Sequence, residues 1–245
     1  MCENPKHSLK LLNNKGIKKK LLSLHDYNEK KVINRISKLN KPYKIALISD
    51  AGSPLISDPG YKLIKYFLDN NFNVTTIPGP SSVISALLLS GLPINSFAFY
   101  GFVPKQESKI KQFFTKIKND NYTGVFFVSA NHLSMSIHKI IEYIGEKDIS
   151  VCKEITKLNE EIFRGKPSKI LMLIEEQKIL LKGEFTIVVG GTTTKSLKKI
   201  NSDVSKEIIK LLKKFNLTEV VKIVHSLTGI SRNEIYRIAI KLKDG

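Results

Sequence analysis

Asp50-Ala-Gly-Ser-Pro-Leu-Ile-Ser-Asp-Pro-Gly60 follows directly on the apolar, β-branched run Lys44-Ile-Ala-Leu-Ile-Ser49. The run reads as a strand buried on both faces, and it stops at Asp50-Ala51-Gly52, a carboxylate and a glycine at the strand's carboxyl end. Gly52 can take backbone angles closed to other residues and lets a ligand approach the main chain. Asp58-Pro59 predicts a helix start, with Asp as N-cap, and Tyr61, Leu63, Ile64, Phe67 and Leu68 follow at helical spacing. The pattern then repeats. Asn73-Val-Thr-Thr-Ile77 predicts a second strand, Pro78-Gly79-Pro80-Ser81-Ser82 a tight loop, and Val83 to Ser90 a helix closed by Gly91. Two successive strand–loop–helix units predict a parallel α/β sheet. Ligands of such sheets sit beyond the carboxyl ends of the strands, where both loops fall. Either loop alone reads as ordinary turn punctuation; the two together predict a small-molecule cleft.

The remaining composition bounds the class. At 245 residues, one large or two modest domains are expected. The formal charge of +18 favours a polyanionic partner, with nucleic acid the commonest. Lysine carries that excess, since arginine occurs only at Arg35, Arg164, Arg232 and Arg237; an AT-rich genome yields the same bias. Cys2 and Cys152 are far apart and away from clustered histidines, which predicts neither a metal site nor a disulfide and fits a reducing cytoplasm. The longest apolar runs, such as Val83 to Leu89, are too short to span a bilayer.

At this separation the two loop sequences resemble those of the tetrapyrrole methylases, a superfamily of S-adenosylmethionine (SAM)-dependent enzymes. Within it the chain is most similar to the bacterial enzymes that methylate the ribose 2′-hydroxyl of a decoding-region cytidine in 16S rRNA. The resemblance implies two α/β domains, at 1–103 and 104–191, with a cofactor cleft between them, and a small helical domain at 192–245. It implies SAM as cofactor, 16S rRNA in the small ribosomal subunit as partner, a cytoplasmic location and a homodimer. The family's opening strand and its glycine-bearing loop have no counterpart here. A shortened first domain, with an exposed sheet edge and one cleft wall missing, is therefore expected.

Several further stretches carry the resemblance. Glu3 and His7 match, Lys6 replaces an arginine, and Asn4-Pro5 departs from the family pattern; Leu9, Leu11 and Leu12 then suggest a short helix ended by Gly16. Lys20 to Leu24 predicts a strand, and His25-Asp-Tyr-Asn-Glu29, a family run, precedes a helix to Leu39. Tyr100-Gly101-Phe102 matches at the interdomain hinge, where a ring can pack against the cofactor or the target base. Lys105, Lys109, Lys111, Lys116 and Lys118 line a helix whose apolar face is Ile110, Phe113, Phe114 and Ile117. Ser129 and Leu133 depart from the family pattern beside His132, which argues against catalysis there. Lys153-Glu154, Thr156-Lys157, Glu160-Glu161, Gly165 and Lys182-Gly183-Glu184 match in order.

Main chain at Gly52 and Gly79, hydroxyls at Ser53, Ser81 and Ser82, and the acceptor Asp50 are the kinds of group SAM requires. The implied cofactor set is Asp50, Ala51, Gly52, Ser53, Pro78, Gly79, Ser81, Ser82 and Tyr100. A ribose hydroxyl is a poor nucleophile, and Glu154, Glu184 and His25 are the candidates to take its proton. A small-molecule methylase and a non-catalytic RNA-binding remnant are the competing readings. In the tail, Thr192 to Asn201 reads as a linker. Helices are predicted at Val204–Phe215, Thr218–Leu227 and Ser231–Leu242, with Thr218 and a Ser231/Glu234 capping box at helix starts. The turn Thr228-Gly229-Ile230 makes the last two a helix-turn-helix pair. Arg232, Arg237, Lys241 and Lys243 suit RNA docking; packing as a bundle on the main body is the alternative.

Overall fold

The computed structural model describes residues 1–39, 44–191, 202–228 and 230–243, and the chain divides into two compact units, Met1–Gly191 and Thr192–Gly245. The first unit is built on a five-stranded mixed sheet in the order β1-β2-β5-β3-β4. Its strands are β1 Phe97–Phe102, β2 Thr123–Ser129, β3 Ile149–Lys153, β4 Glu161–Gly165 and β5 Glu184–Val189. β1 and β2 are parallel and the other neighbours antiparallel. The α/β class expected from sequence is met. Because β1 hydrogen-bonds to β2, the sheet spans the boundary expected at 103/104.

Period-two alternation buries both faces of this sheet. Val125, Cys152 and Val188 face helix α4 (Ser82–Ser90), meeting its Val83, Ala86 and Leu87. Phe126, Val128, Val151, Phe185 and Ile187 face the opposite way, into a cluster with α5 (Glu107–Asn119), α6 (Leu133–Tyr143) and α7 (Pro167–Glu175). Each such large side chain contributes roughly 1.5–3 kcal/mol on burial. The Lys153 side chain is buried too, and its Nζ meets Glu161 Oε2, the residue opposite it on β4, at 2.6 Å.

Residues before α4 do not form the expected parallel sheet. Among the described residues, the parallel pairing there is limited to the bridges Cys2↔Ser23 and Cys2↔Ile48. The run Lys44–Ser49 is extended, but Lys44 to Ala46 are exposed, which corrects the prediction of a strand buried on both faces. Asn73–Ile77 makes no bridge, and Ile77 is 89% exposed. β-branched composition gives a preference for extended backbone; a strand also needs a hydrogen-bonding neighbour.

Helices in this region are set by caps. Asn4 Oδ1 accepts the main-chain N–H groups of Lys6 (3.1 Å) and His7 (3.4 Å) at the start of α1 (Pro5–Asn14). The departure at Asn4-Pro5 therefore retains a helix start. Helix α2 (Glu29–Ile36) packs on α3 (Tyr61–Asp69) through Val32, Ile36, Leu63 and Phe67. Asp58 is not the N-cap of α3 as predicted. The buried Glu29 fills that role from 31 residues away, its Oε1 accepting Gly60 N–H and its Oε2 accepting Lys62 N–H, both at 2.9 Å.

The second unit contains α8 (Ser202–Leu212), α9 (Leu217–Thr228) and α10 (Arg232–Lys243) around Ile208, Val220, Val221, Val224, Ile230, Ile235 and Ala239. Asn216, not Thr218, caps α9. Its Oδ1 accepts Glu219 N–H at 2.9 Å and Glu219 Oε2 accepts its N–H at 3.1 Å, a reciprocal capping box. The expected linker Thr192–Asn201, Gly229, and the side chains of Glu234, Lys241 and Lys243 lie outside the described residues. Among the described residues, no helix is long and apolar enough to cross a membrane.

Glu29→Ala should lower unfolding stability by about 1–3 kcal/mol, because it leaves two N–H donors at a buried helix start unpaired. Urea denaturation measures this; Glu29→Gln, which keeps one acceptor oxygen, should lose less.

Candidate functional site

The two predicted loops meet. Ser49 Oγ donates to the carbonyls of Ala51 (3.2 Å) and Gly52 (2.8 Å), folding the chain back as the first loop begins. Ser53 Oγ then donates to Pro80 O at 3.1 Å, and a Cβ on Gly52 would stand 3.5 Å from that same carbonyl. Ala51, Gly52, Pro78 and Gly79 are exposed around this junction. Ser81 and Ser82 are half-buried at the start of α4, where Ser81 Oγ accepts Ile84 N–H at 3.5 Å. Asp50 is half-buried, and its Oδ1 is sealed from solvent with no hydrogen-bond partner among the described residues. Leu55 (φ 73°) and Ser57 (φ 69°) hold left-handed backbone angles in the same loop, a strain that concentrates at binding sites.

Behind this loop, Glu3, Leu24, Ser49, Pro54 and Asp58 line a narrow crevice. Burial, then the charge of Glu3 and more weakly that of Asp50, push the Asp58 carboxyl above its ordinary range, against a hydrogen bond from Ser49. The acidic character of this corner therefore suits a cationic group. Among the described residues, no cluster of three or more His, Cys, Asp or Glu is placed to hold a metal ion.

A second group assembles where β3 ends and β5 begins. Glu154 Oε1 accepts Lys157 Nζ at 2.9 Å and Glu184 N–H at 2.8 Å, while Lys157 Nζ also reaches Glu184 Oε2 at 2.9 Å. These contacts, Lys157 first, hold the Glu154 carboxyl below the usual carboxylate range. Glu154 (φ 49°) and Thr156 (φ 68°) are again left-handed non-glycines. Gly183 leaves space for this packing: a Cβ there would lie 2.6 Å from Glu154 Oε1.

Helix α4 brings the two groups to one end of the sheet. Its last turn is fixed at the opposite end, where Arg164 Nε donates to Leu89 O at 2.8 Å and Leu92 lies beside Gly190. Its first turn therefore points toward the end where β2, β3 and β5 place Ser129, Glu154 and Glu184. Val83 of that turn shares a cluster with Ile155.

Two predicted residues are not brought there. His25 is exposed, its N–H held by Asn28 Oδ1 at 3.0 Å and its ring 6.3 Å from that of Tyr27. Tyr100 points to the α5 face, away from α4. Its hydroxyl donates to Asp120 Oδ2 at 2.7 Å, and burial together with Asp120 raises the phenol far above its ordinary range. The reason lies one residue on. Gly101 (φ 72°) interrupts the register of β1, so Phe99 pairs with Val125 but Phe102 with Phe127. The slip returns Phe102 to the α4 face, where it and Phe99 flank Phe127 at 5.1 Å and 4.9 Å. Phe102 is 60% exposed and is the ring of this stretch at the site. The sequence signal for it was Gly101 itself; Glu29 and Arg164 carried none, since their partners are 31 and 75 residues away.

The family model for Tetrapyrrole (Corrin/Porphyrin) Methylases matches residues 3–170. The chain belongs to the tetrapyrrole methylase family. That match takes in both loops, Phe102 and Glu154. A relative from Thermotoga maritima named "Ribosomal RNA small subunit methyltransferase I" is 39% identical over 192 residues, 78% of this chain and 85% of the relative. One of the same name from Buchnera aphidicola subsp. Schizaphis graminum is 38% identical over 250 residues, 99% of this chain and 86% of the relative. Among solved structures, a diphthine synthase is similar in fold, with a TM-score of 0.52, 12% identity and coverage of 74% of this chain and 73% of that one.

Asp58→Asn should stabilise the protein at neutral pH by at most about 1 kcal/mol after solvent screening. A raised folded pKa means that ionisation opposes folding; the cost is present above that pKa and is lost as pH falls through it. Thermal melts of both proteins across pH 4 to 8 should therefore converge on the acid side, and a constant difference would contradict this account.

Proposed function

We propose that the chain is a SAM-dependent methyltransferase of small-subunit rRNA, acting on the ribose 2′-hydroxyl of a cytidine in the decoding region. The observation that carries the cofactor assignment is Asp50 Oδ1, a sealed acceptor without a partner beside two joined glycine loops. A buried carboxylate oxygen normally finds a donor, and the ammonium and ribose hydroxyls of SAM are donors. The acidic corner of Glu3, Asp50 and Asp58 suits the cofactor's positive charge, while the exposed start of α4 offers main-chain N–H groups and Ser82 to a carboxylate. The rRNA acceptor rests on the names of the curated relatives, and the lysine-borne charge of +18 favours it over an uncharged small substrate.

SAM, when bound, supplies an electrophilic methyl group on a sulfonium. The chain's own residues align and shield the acceptor, and positioning of this kind supplies much of the acceleration in such displacements. Phe102 offers an exposed ring against which an unstacked base can lie. Glu154, with one oxygen already accepting two hydrogen bonds, holds the 154–160 loop on the 183–184 turn and is a positioning residue. Glu184 is 79% exposed, with Oε2 on Lys157, and is the residue we assign to receive the hydroxyl proton as the oxygen–carbon bond forms. The homodimer implied by the family resemblance belongs to the same proposal and is read by sedimentation.

Calorimetry with purified protein should show SAM binding by the wild type, and Asp50→Ala should weaken it at least 100-fold with a melting temperature within a few degrees. Mass spectrometry of 16S rRNA from cells lacking the gene should show one 2′-O-methylcytidine lost. Wild-type protein that ignores SAM would refute the enzymatic reading; unchanged rRNA would refute the substrate.

A further inference from the structure

The outward face of α10 has a chemistry distinct from the rest of the second unit. Ile235 and Ala239, fully buried one turn apart, fix the orientation of the helix, and Arg232, Asn233, Tyr236 and Arg237 are exposed. Tyr236 keeps 49% of its surface in solvent, although its neighbours in the core cluster are aliphatic. Residues 192–245 include twelve Lys and Arg against five Asp and Glu. The acids whose side chains are described are engaged within the unit: Glu207 holds Lys210 at 2.6 Å, and Glu219 closes the α9 capping box. Arg232 and Arg237 have no ion-pair partner among the described residues. The turn before α10 is fixed by His225 Nδ1, 2.6 Å from Ile230 O, and by Ile230 N–H on Thr228 Oγ1 at 3.2 Å.

We infer that this face is an RNA-docking surface which grips an unpaired stretch, with Tyr236 stacked on a base and Arg232 and Arg237 on flanking phosphates. Charge complementarity selects a polyanion. The aromatic ring between two guanidinium groups selects an unstacked base over a duplex, because the deep major groove of A-form RNA does not admit a helix carrying such a ring. Arginine suits phosphate through its planar fork of donors, and Asn233, one turn before Tyr236, is placed to read a base edge. The inference rests on the rRNA reading above and adds to it a second contact region, outside the residues matched by the family model.

The test uses the full chain, a labelled unstructured oligoribonucleotide of about 16 nucleotides, and a blunt RNA duplex of equal length. The wild type should prefer the single strand. Arg232→Glu with Arg237→Glu should weaken binding at least tenfold and lower the slope of log K against log salt by about 1.4, for two single-strand phosphate contacts. Tyr236→Ala should weaken binding about tenfold and leave that slope unchanged. If the charge-reversed protein does not melt cooperatively, Arg232→Gln with Arg237→Gln replaces it, with the same slope change expected. Variants that bind as the wild type does, or a wild type that prefers the duplex, overturn the inference. SAM titration of the same samples separates the two readings: RNA effects without SAM binding would remove the enzyme and leave this surface standing.

Discussion

Helix α4 is the element on which the arrangement of the first unit depends. It has to satisfy two constraints with nine residues. Val83, Ala86 and Leu87 must close one face of the central sheet against Val125, Cys152 and Val188, a burial worth several kcal/mol by area. The same helix must begin where the Pro78–Ser82 loop can meet Ser53. Arg164 holds the far end by its hold on the Leu89 carbonyl, so the direction of the helix is set by a contact with β4 and its start follows. The site is thus positioned by packing on a sheet to which the first loop contributes no strand.

The acidic groups near the site divide by environment. Glu29 is buried and spends both oxygens on the N–H groups that open α3, and Glu154 spends one oxygen on Lys157 and Glu184. Both act on the backbone. Asp50 differs in having a sealed oxygen with no donor, and Asp58 is held above its ordinary range by burial beside Glu3. A carboxylate with its bonds complete is part of the scaffold; one without them is a binding group. That contrast, rather than the number of acids, marks Asp50 for the cofactor.

Much of the architecture was legible in the sequence, for identifiable reasons. Period-two alternation in Thr123–Val128 and Ile149–Lys153 gave the central strands, and Ser81 with Gly91 gave both ends of α4 to the residue. The separation of the two loops signalled a shared site, and Ser53 on Pro80 joins them. What local reading could not supply were long-range partners. Asp58-Pro59 looks like a cap because nothing nearby in sequence reveals Glu29. Lys44–Ser49 and Asn73–Ile77 look like strands because composition is local, whereas a ladder belongs to a pair. Tyr100 was assigned to the site on the assumption of unbroken alternation, which Gly101 breaks.

The slip at Gly101 also sets how this edge of the sheet tolerates change. A β-branched residue there would resist the left-handed backbone and push β1 back into regular alternation. Phe102 would then share the side occupied by Tyr100 and crowd against the α5 layer, leaving Phe127 uncovered and the wet end of the sheet without its aromatic ring. One hydrogen atom in place of a side chain thus decides which of two neighbouring rings meets water, a dependence that no inventory of the rings themselves would disclose.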